Sequence, residues 1–445
     1  MKKVVTFLMF SVIAVVANAQ VASSKQDVAI FQLSSAEHNI PMGLMQGVDS
    51  QIQKVFVDLG RFTVLGLNFR LDGLNLQTFV ARLRLLKEQT TPPDKAIQFG
   101  ETFLTLDEYN KIAGSFLVVI PRVDGVHFSR LANNVRKATI ETSFTILKGS
   151  DLTPVTGGFF TVKSQGQDQS RQQALEQALA GIVPLLTFEV RKVPQFQISS
   201  GLVDVGFDSA SMELGQNMGI MLGDEYALQK VVTKDGVPQT EETGLAIVDK
   251  VNPKTSRLFI AYGDPFVGQS VHEIPRLGID LEPYANLVER FTDAGTAYHV
   301  ALGVKGVVSR GFWLVKPMVG FEVPLILDIT NVLWLPFYAY AGAEFYPFRL
   351  GRFELATSAA LAVGGAYIMV DTSNFLGSNA QPYYLTHLGI RVDAKAQFLF
   401  SRDAKLAATV GAAAYAGLLD AFVNKSSFFK SSAQISAGLS FVQKF

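Results

Sequence analysis

The side chains that most often bind metal ions or carry out catalysis are few in this sequence and far apart. The chain contains no cysteine, which excludes disulfides, thiolate metal sites, a cysteine nucleophile and a lipid-modified cysteine. It has no H-E-x-x-H metal motif, no G-x-S-x-G motif and no EF-hand. The histidines, which show no paired-ligand spacing, are His38, His127, His272, His299 and His387. We therefore predict no catalytic residue, no metal site and no cofactor, and a protein that is not an enzyme.

Two other patterns have simple structural explanations. Asp107 and Glu108 are adjacent carboxylates, but adjacent residues on a helix do not face each other, so we interpret them as a helix start. Gly215, Gly219 and Gly223 lack the Lys-Ser/Thr of a phosphate loop and are interpreted as turn residues. Lys and Arg, 39 in all, balance 39 Asp and Glu. With no net charge to attract a polyanion, we predict that nucleic acid is not a partner.

Charged residues of both signs recur in the last third of the chain at positions that alternate with apolar residues. Such a period of two is typical of strands with one apolar face. Charged residues make up only 18% of the whole chain and hydrophobic residues 48%. The apolar faces of these strands therefore need an apolar environment. We predict that the following side chains line a barrel lumen: Lys305, Lys316, Glu322, Glu344, Glu354, Arg391, Asp393, Lys395 and Lys405.

A soluble sandwich also alternates, but three features favour a transmembrane barrel. The alternating segments run for about ten residues or more, whereas ordinary strands have about five or six. The polar face mixes both charge signs with Gly and Ala. Aromatic residues such as Trp313, Phe321 and Phe398 lie near the segment ends, as in the aromatic girdles of outer-membrane barrels.

Connection lengths set the strand count. Tight connections near residues 309–311, 349–351 and 401–403 alternate with long ones near 328–333, 371–382 and 420–431. With the C-terminus in the periplasm, this alternation requires eight strands, the first over residues 278–289. An eight-stranded barrel is narrow enough to be filled by its own side chains. We therefore favour a plug of ion pairs in the lumen, with a polar conduit as the alternative.

The region from Gly278 to Phe445 resembles the small eight-stranded outer-membrane barrels of the OmpA/OmpX type. The sequence F-V-Q-K-F that ends the chain is similar to the signal of such barrels for the barrel-assembly machinery. The resemblance implies that Leu439, Phe441 and Phe445 form this signal. It also implies that the barrel-assembly machinery and outer-membrane lipid are partners.

The N-terminus has the layout of a secretory signal peptide. Lys2 and Lys3 precede an apolar run, and Ala17-Asn18-Ala19 forms a cleavage site. An uncleaved anchor is the alternative, but the run is shorter than the roughly 20 residues of a spanning helix. Residues 1–19 are thus predicted to be a signal peptide, in the outer-membrane protein of a Gram-negative-type (diderm) bacterium.

Residues 20–195 are predicted to form a periplasmic α/β sandwich. Its strands include 28–33 and 62–65, and its helices include 42–59 and 169–186. The segments Val28–Leu33 and Gly60–Val64 resemble the "VAVL.F" and "GRF.V" strands of the periplasmic domain of curli-secretion lipoproteins and of lipoprotein activators of penicillin-binding proteins. Those proteins begin at a lipidated cysteine, which this chain lacks, so the barrel would supply the anchor.

Residues 196–273 are predicted to form a small β module, and residues 274–445 the barrel. The stretch from Leu214 to Asp224 resembles the "LG...G...GD" turn of the β-domain that ends flagellar T-ring assembly proteins. Residues 232–243 are predicted to be a solvated hairpin tip. The fold class is thus α+β and multidomain, with an α/β sandwich, a β module and an eight-stranded antiparallel transmembrane β-barrel.

These features predict a non-enzymatic outer-membrane protein whose barrel anchors periplasmic binding or assembly modules in the cell envelope. The expected partner of these modules is an unidentified periplasmic envelope protein or a cell-wall component. The first alternative is an outer-membrane channel or transporter for a small molecule or lipid. A periplasmic enzyme with an unfamiliar site is the second.

Overall fold

The computed structural model describes residues 22–35, 42–70, 76–89, 95–99, 102–293, 295–325, 333–369, 384–417 and 431–445. The predicted signal peptide and most of the three long connections lie outside these residues. Within them the chain is mostly β-structure with few helices. Three large sheets follow one another along the chain, and two of them close into barrels.

The first sheet, called the mixed sheet, has the order β3-β1-β6-β7-β8, with the short β2 beside β6. Strand β1 pairs in parallel with β3 and β6, whereas β6, β7 and β8 are antiparallel. The strands are β1 (Gln26–Gln32), β2 (Ser34–Ser35), β3 (Phe62–Arg70), β6 (Leu117–Arg130), β7 (Arg136–Lys148) and β8 (Pro154–Asp168). A separate two-stranded sheet consists of β4 (Ile97–Phe99) and β5 (Thr102–Leu104).

Helices cover both faces of the mixed sheet. They are α1 (Met42–Asp58), α2 (Leu76–Glu88), α3 (Leu106–Gly114) and α4 (Arg171–Lys192). Val28 and Ile30 of β1 pack in one core with α1 and α4, and Ala29 and Phe31 pack in the other with α2 and α3. Because both faces are covered, this strand is apolar without alternation. None of the helices in the described residues combines the length and apolar character needed to cross a bilayer.

The second sheet closes into a six-stranded barrel with the order β10-β13-β12-β11-β14-β9. Its strands are β9 (Ser199–Val205), β10 (Ser209–Met212), β11 (Glu225–Lys234), β12 (Val237–Val251), β13 (Ser256–Tyr262) and β14 (Ser270–Ile274). Its core contains Leu202, Tyr226, Leu228, Val248 and Leu258. The predicted hairpin tip is the end of the β11–β12 hairpin, which turns at Asp235-Gly236 with both residues at positive φ.

The third sheet is a closed eight-stranded barrel in which neighbours along the chain are antiparallel and β22 pairs with β15. Its strands are β15 (Ile279–Thr292), β16 (Gly295–Val308), β17 (Val315–Leu325), β18 (Leu333–Leu350), β19 (Phe353–Met369), β20 (Tyr384–Ser401), β21 (Ala404–Gly417) and β22 (Ser432–Lys444). The predicted eight antiparallel strands are thus confirmed. We call the end with the tight turns β16–β17, β18–β19 and β20–β21 the turn end.

The outer wall of the eight-stranded barrel is apolar. Large side chains at alternate positions are exposed there, among them Leu302, Val319, Phe321, Leu361, Ile390, Val392, Phe398, Val410, Ile435 and Leu439. Trp313 is an exception to the predicted aromatic girdle. Its ring packs against Phe259 of the six-stranded barrel, with ring centroids 5.8 Å apart. The girdle assignment was wrong for this residue, because a second sheet covers the turn end.

Candidate functional site

The lumen of the large barrel holds a closed ring of two lysines and two glutamates. Lys305 Nζ lies 3.1 Å from Glu282 and 2.5 Å from Glu344. Lys395 Nζ bridges the same two carboxylates at 2.8 and 3.1 Å. Tyr346 donates a 2.6 Å hydrogen bond to Glu344. Each buried charge therefore has partners of opposite sign, as a low-dielectric interior demands.

A second cluster lies nearer the turn end and centres on Glu354. This carboxylate is 2.5 Å from Lys405 Nζ and 3.3 Å from Arg349 Nε. It also accepts a 2.7 Å hydrogen bond from Gln397. Lys316 is buried in the same region, with its ammonium 4.7 Å from the ring centroid of Tyr346.

The third cluster lies on the other side of the ring, away from the turn end. Arg391 donates from Nη1 to Glu322 at 2.7 Å and from Nε to Asp393 at 3.0 Å. Tyr284 donates a 3.0 Å hydrogen bond to Glu322, and Tyr340 donates one of 3.0 Å to Tyr284. The structure thus places all nine predicted lumen charges inside the barrel, in three stacked clusters with aromatic hydroxyls between them.

A further set of buried charges joins the mixed sheet to the six-stranded barrel. Glu273 of β14 accepts hydrogen bonds from Arg61 at 2.6 and 3.2 Å and from Arg191 of α4 at 2.7 Å. Arg61 also donates to the backbone carbonyl of Phe196. Burial alone would raise the pKa of Glu273, but the two guanidinium groups outweigh burial and lower the pKa to about 2.

The same set of charges continues to the turn end of the eight-stranded barrel. Asp224 accepts from Arg191 at 3.1 Å and from Arg310, in the β16–β17 turn, at 2.8 Å. Its neighbour Glu225 pairs with Lys444 of β22 at 2.5 Å and with Arg276 at 3.1 Å. Arg276 reaches Asp403 in the β20–β21 turn at 2.6 Å. Burial opposes ionisation of Glu225, but Lys444 and Arg276 prevail and lower its pKa.

Glycines permit close backbone approach at both boundaries. Gly219 has φ +73°, and a Cβ there would lie 1.9 Å from the carbonyl oxygen of Leu59. Gly223 has φ +78°, and a Cβ there would lie 2.3 Å from the carbonyl oxygen of Ser309. Two of the predicted turn glycines thus sit where one sheet contacts the next, and any side chain would force the sheets apart.

Apolar side chains complete the contact beneath the eight-stranded barrel. Leu399 near the end of β20 packs in one cluster with Ala227, Leu245, Phe259 and Ala261 of the six-stranded barrel. These four residues lie on the outer face of β11, β12 and β13, since their neighbours Tyr226, Leu228, Ala246 and Ile260 fill the core of that barrel. The outer face of one barrel therefore covers the turn end of the other.

We call this set of contacts the junction; it comprises Arg61, Arg191, Asp224, Glu225, Glu273, Arg276, Arg310, Asp403 and Lys444. No motif or spacing in the sequence marks these residues as a group. The signal that was available is the placement of single charges inside apolar strands, such as Glu273 beside Val271 and Ile274. Their partners lie up to 219 positions away along the chain, as for Glu225 and Lys444, so the pairing itself cannot be predicted from spacing.

The residues of the predicted assembly signal and the two adjacent carboxylates lie outside these clusters. Leu439 and Phe441 are exposed on the outer wall of β22, and the exposed Phe445 follows it. Asp107 and Glu108 lie in the first turn of α3, where Glu108 forms a capping box with Thr105, as the predicted helix start requires. Among the described residues, no group of three or more His, Cys, Asp or Glu side chains is arranged to hold a metal ion.

No protein-family model matches the chain, and no curated protein matches it. Similar solved structures include Neisserial surface protein A, at 13% identity and a TM-score of 0.31, covering 38% of this chain and 97% of that one. Ail of Yersinia pestis has 10% identity and a TM-score of 0.26, covering 38% and 99%. The N-terminal β-barrel domain of OprF from Pseudomonas aeruginosa has 12% identity and a TM-score of 0.22, covering 37% and 96%. These likenesses say nothing about activity or partners.

Proposed function

We propose that the chain is a non-enzymatic outer-membrane protein of a diderm bacterium, in which the eight-stranded barrel spans the membrane. The observation that carries this proposal is the inversion of polarity across the barrel wall. Its interior holds clusters of paired charges, whereas its outer wall exposes large apolar side chains on every strand. A wall of this kind is stable in a bilayer, where a closed barrel leaves no backbone group unpaired.

The junction supports an anchoring role for this barrel. Charged contacts hold the mixed sheet against the six-stranded barrel, and charged, apolar and backbone contacts hold that barrel against the turn end. We propose that the turn end faces the periplasm and that the barrel fixes both sheets at a set distance from the membrane. Buried charge pairs specify one arrangement, because any displacement leaves a charge unpaired.

The proposed partner of the anchored sheets is a periplasmic envelope protein or a cell-wall component. Part of one face of the mixed sheet carries no helix among the described residues and supports this proposal. There β8 presents Phe159, Thr161, Lys163 and Gln165 to solvent. An exposed face with hydroxyl, amide and aromatic groups offers both hydrogen bonds and a stacking surface to a partner.

Fractionation of cells that produce the full chain tests the proposal. We expect the protein to stay with the outer membrane after osmotic shock and after a high-salt wash, while a soluble periplasmic marker is released. We also expect it to migrate faster on gels when unheated, because a closed barrel resists unfolding by cold detergent. Release of the whole protein by osmotic shock would contradict a membrane-spanning barrel.

A further inference from the structure

We propose that the six-stranded barrel itself touches the periplasmic leaflet of the outer membrane. The contact comprises two segments that emerge from beneath the wall of the eight-stranded barrel. They are the free half of the β11–β12 hairpin (residues 230–241) and the β13–β14 loop (residues 263–269), which together we call the emergent edge. This inference rests on the proposed function, since it requires the large barrel to lie in a bilayer.

The hairpin passes under the barrel wall at a position that its contacts define. Ala227 and Leu245 form a cross-strand pair and pack against Leu399, beneath the lumen. Further along the same face, Glu242 pairs with Arg402 of the β20–β21 turn at 2.6 Å. That turn lies on the rim of the eight-stranded barrel at its turn end. The hairpin residues that follow on this face therefore lie outside the wall of that barrel, where lipid headgroups begin.

The first cross-strand pair beyond the rim is Val231 opposite Thr240. Because side chains alternate along a strand, Val231 lies on the same face as Ala227 and points towards the membrane side. It is 66% exposed. The opposite face of the hairpin carries Lys230, Lys234 and Glu241, with Lys234 paired to Glu241. Charge is thus concentrated on the face turned away from the membrane.

The second segment emerges beneath the neighbouring turn. The guanidinium of Arg352, in the β18–β19 turn, stacks 3.8 Å from the ring centroid of Tyr262 at the end of β13. The loop that follows exposes Phe266 and Val267, at 49% and 65%. The turns β18–β19 and β20–β21 are adjacent around the rim, so both segments emerge on the same side of the barrel.

The contact also resolves an energetic problem of the hairpin. A two-stranded ribbon alone is at best marginally stable in water, and residues 230–241 extend past the six-stranded barrel as such a ribbon. A bilayer interface would take up the exposed valine and phenylalanine side chains and leave the lysines on the aqueous side. The occupant is therefore lipid, and the contact continues the interface between the two barrels.

Site-directed spin labelling tests this inference without background, since the chain has no cysteine. The full protein would carry a single label at Val231→Cys, Phe266→Cys or Val237→Cys in vesicles of phosphatidylethanolamine and phosphatidylglycerol. Val237 is the matched control, because it pairs with Lys234 on the opposite face and is similarly exposed. Leu361→Cys, on the outer wall of β19, reports insertion of the barrel.

We expect labels at 231 and 266 to be several-fold more accessible to oxygen, relative to a water-soluble nickel chelate, than the label at 237. Equal accessibility at 231 and 237, with the label at 361 shielded from nickel, would overturn the contact but not the membrane barrel. Immobile labels shielded from both reagents would also overturn it, because a protein partner or a second copy would then cover the edge. Nickel access at 361 would instead contradict the proposed function.

Discussion

At the scale of single residues, the protein depends on buried charges, several of which are held by two partners of opposite sign. The lumen clusters and the junction share this design: Glu344 contacts Lys305 and Lys395, and Glu273 contacts Arg61 and Arg191. Removing one member leaves its partners buried with less opposite charge beside them, which costs more than the pair contributes when intact.

We expect Arg391→Ala to destabilise the eight-stranded barrel by about 3–5 kcal/mol, because Glu322 and Asp393 lose their common cation in the lumen. The temperature at which the unheated gel band converts to the unfolded form measures this loss. Arg402→Ala is the control, since its pairs with Glu242 and Asp403 are partly exposed and their loss should cost less than about 1 kcal/mol. Equal shifts for the two variants would contradict the ion-pair plug.

The pKa of Glu273 predicts an acid dependence of the junction. The folded-state pKa is about 2 and the usual value is 4.5, so this stabilisation is complete above about pH 4.5 and lost as the pH falls towards 2. We expect Glu273→Gln to unfold more readily than the unchanged protein at neutral pH, and the difference to shrink through that window.

Denaturant titrations of the full chain in detergent, followed by tryptophan fluorescence, measure this difference, because Trp313 lies in the contact between the barrels. Glu189→Gln is the matched control, since Glu189 pairs with Lys192 on the surface of α4. A gap between Glu273→Gln and the unchanged protein that stays constant from pH 7 to 2 would show that Glu273 is not ionised in the junction.

At the scale of elements, the sequence predicts strands that have a regular alternation of side chains. It does not predict which strands pair when they are distant in the sequence. The strands of the large barrel alternate along their whole length, so their number and faces are correct. Closure of the small β module into a six-stranded barrel leaves no periodic signal, because it depends on the pairing of β9 with β14 and of β10 with β13. Trp313 was misassigned for the same reason, since its partner Phe259 belongs to another sheet.

The C-terminal strand β22 closes the large barrel by pairing with β15, and its last residues contribute to that closure. The backbone of Phe445 bonds to Gly278 and Ile279, and the ring of Phe441 packs 6.1 Å from that of Phe400 on the outer wall. We expect Phe441→Ser with Phe445→Ser to reduce the amount of folded protein in the outer membrane severalfold. The loss follows from the lipid-facing area removed and from the predicted recognition signal.

Immunoblots of outer-membrane fractions, with heated and unheated samples, measure the effect of this double change. Phe159→Ser is the control, because it removes an exposed phenylalanine of the mixed sheet and leaves the barrel unchanged. Normal levels of folded double variant would mean that neither ring contributes to insertion.

At the scale of the whole molecule, three sheets are joined so that one barrel covers the turn end of another. The outer face of β11, β12 and β13 lies under the lumen, and three clusters of paired charges fill the space above it. A conducting barrel would instead need an open mouth and a lumen free of bridging pairs. This arrangement favours an anchor over a channel.

Conductance across a planar bilayer tests that central claim most directly. The purified full-length protein, with insertion verified by its heat-dependent gel mobility, is expected to give no steady conductance in symmetric potassium chloride. Arg391→Ala should lower its stability without giving a defined ion selectivity. A stable single-channel conductance from the unchanged protein, with selectivity altered by Arg391→Ala at little cost in stability, would contradict the anchor and make transport the function of the barrel.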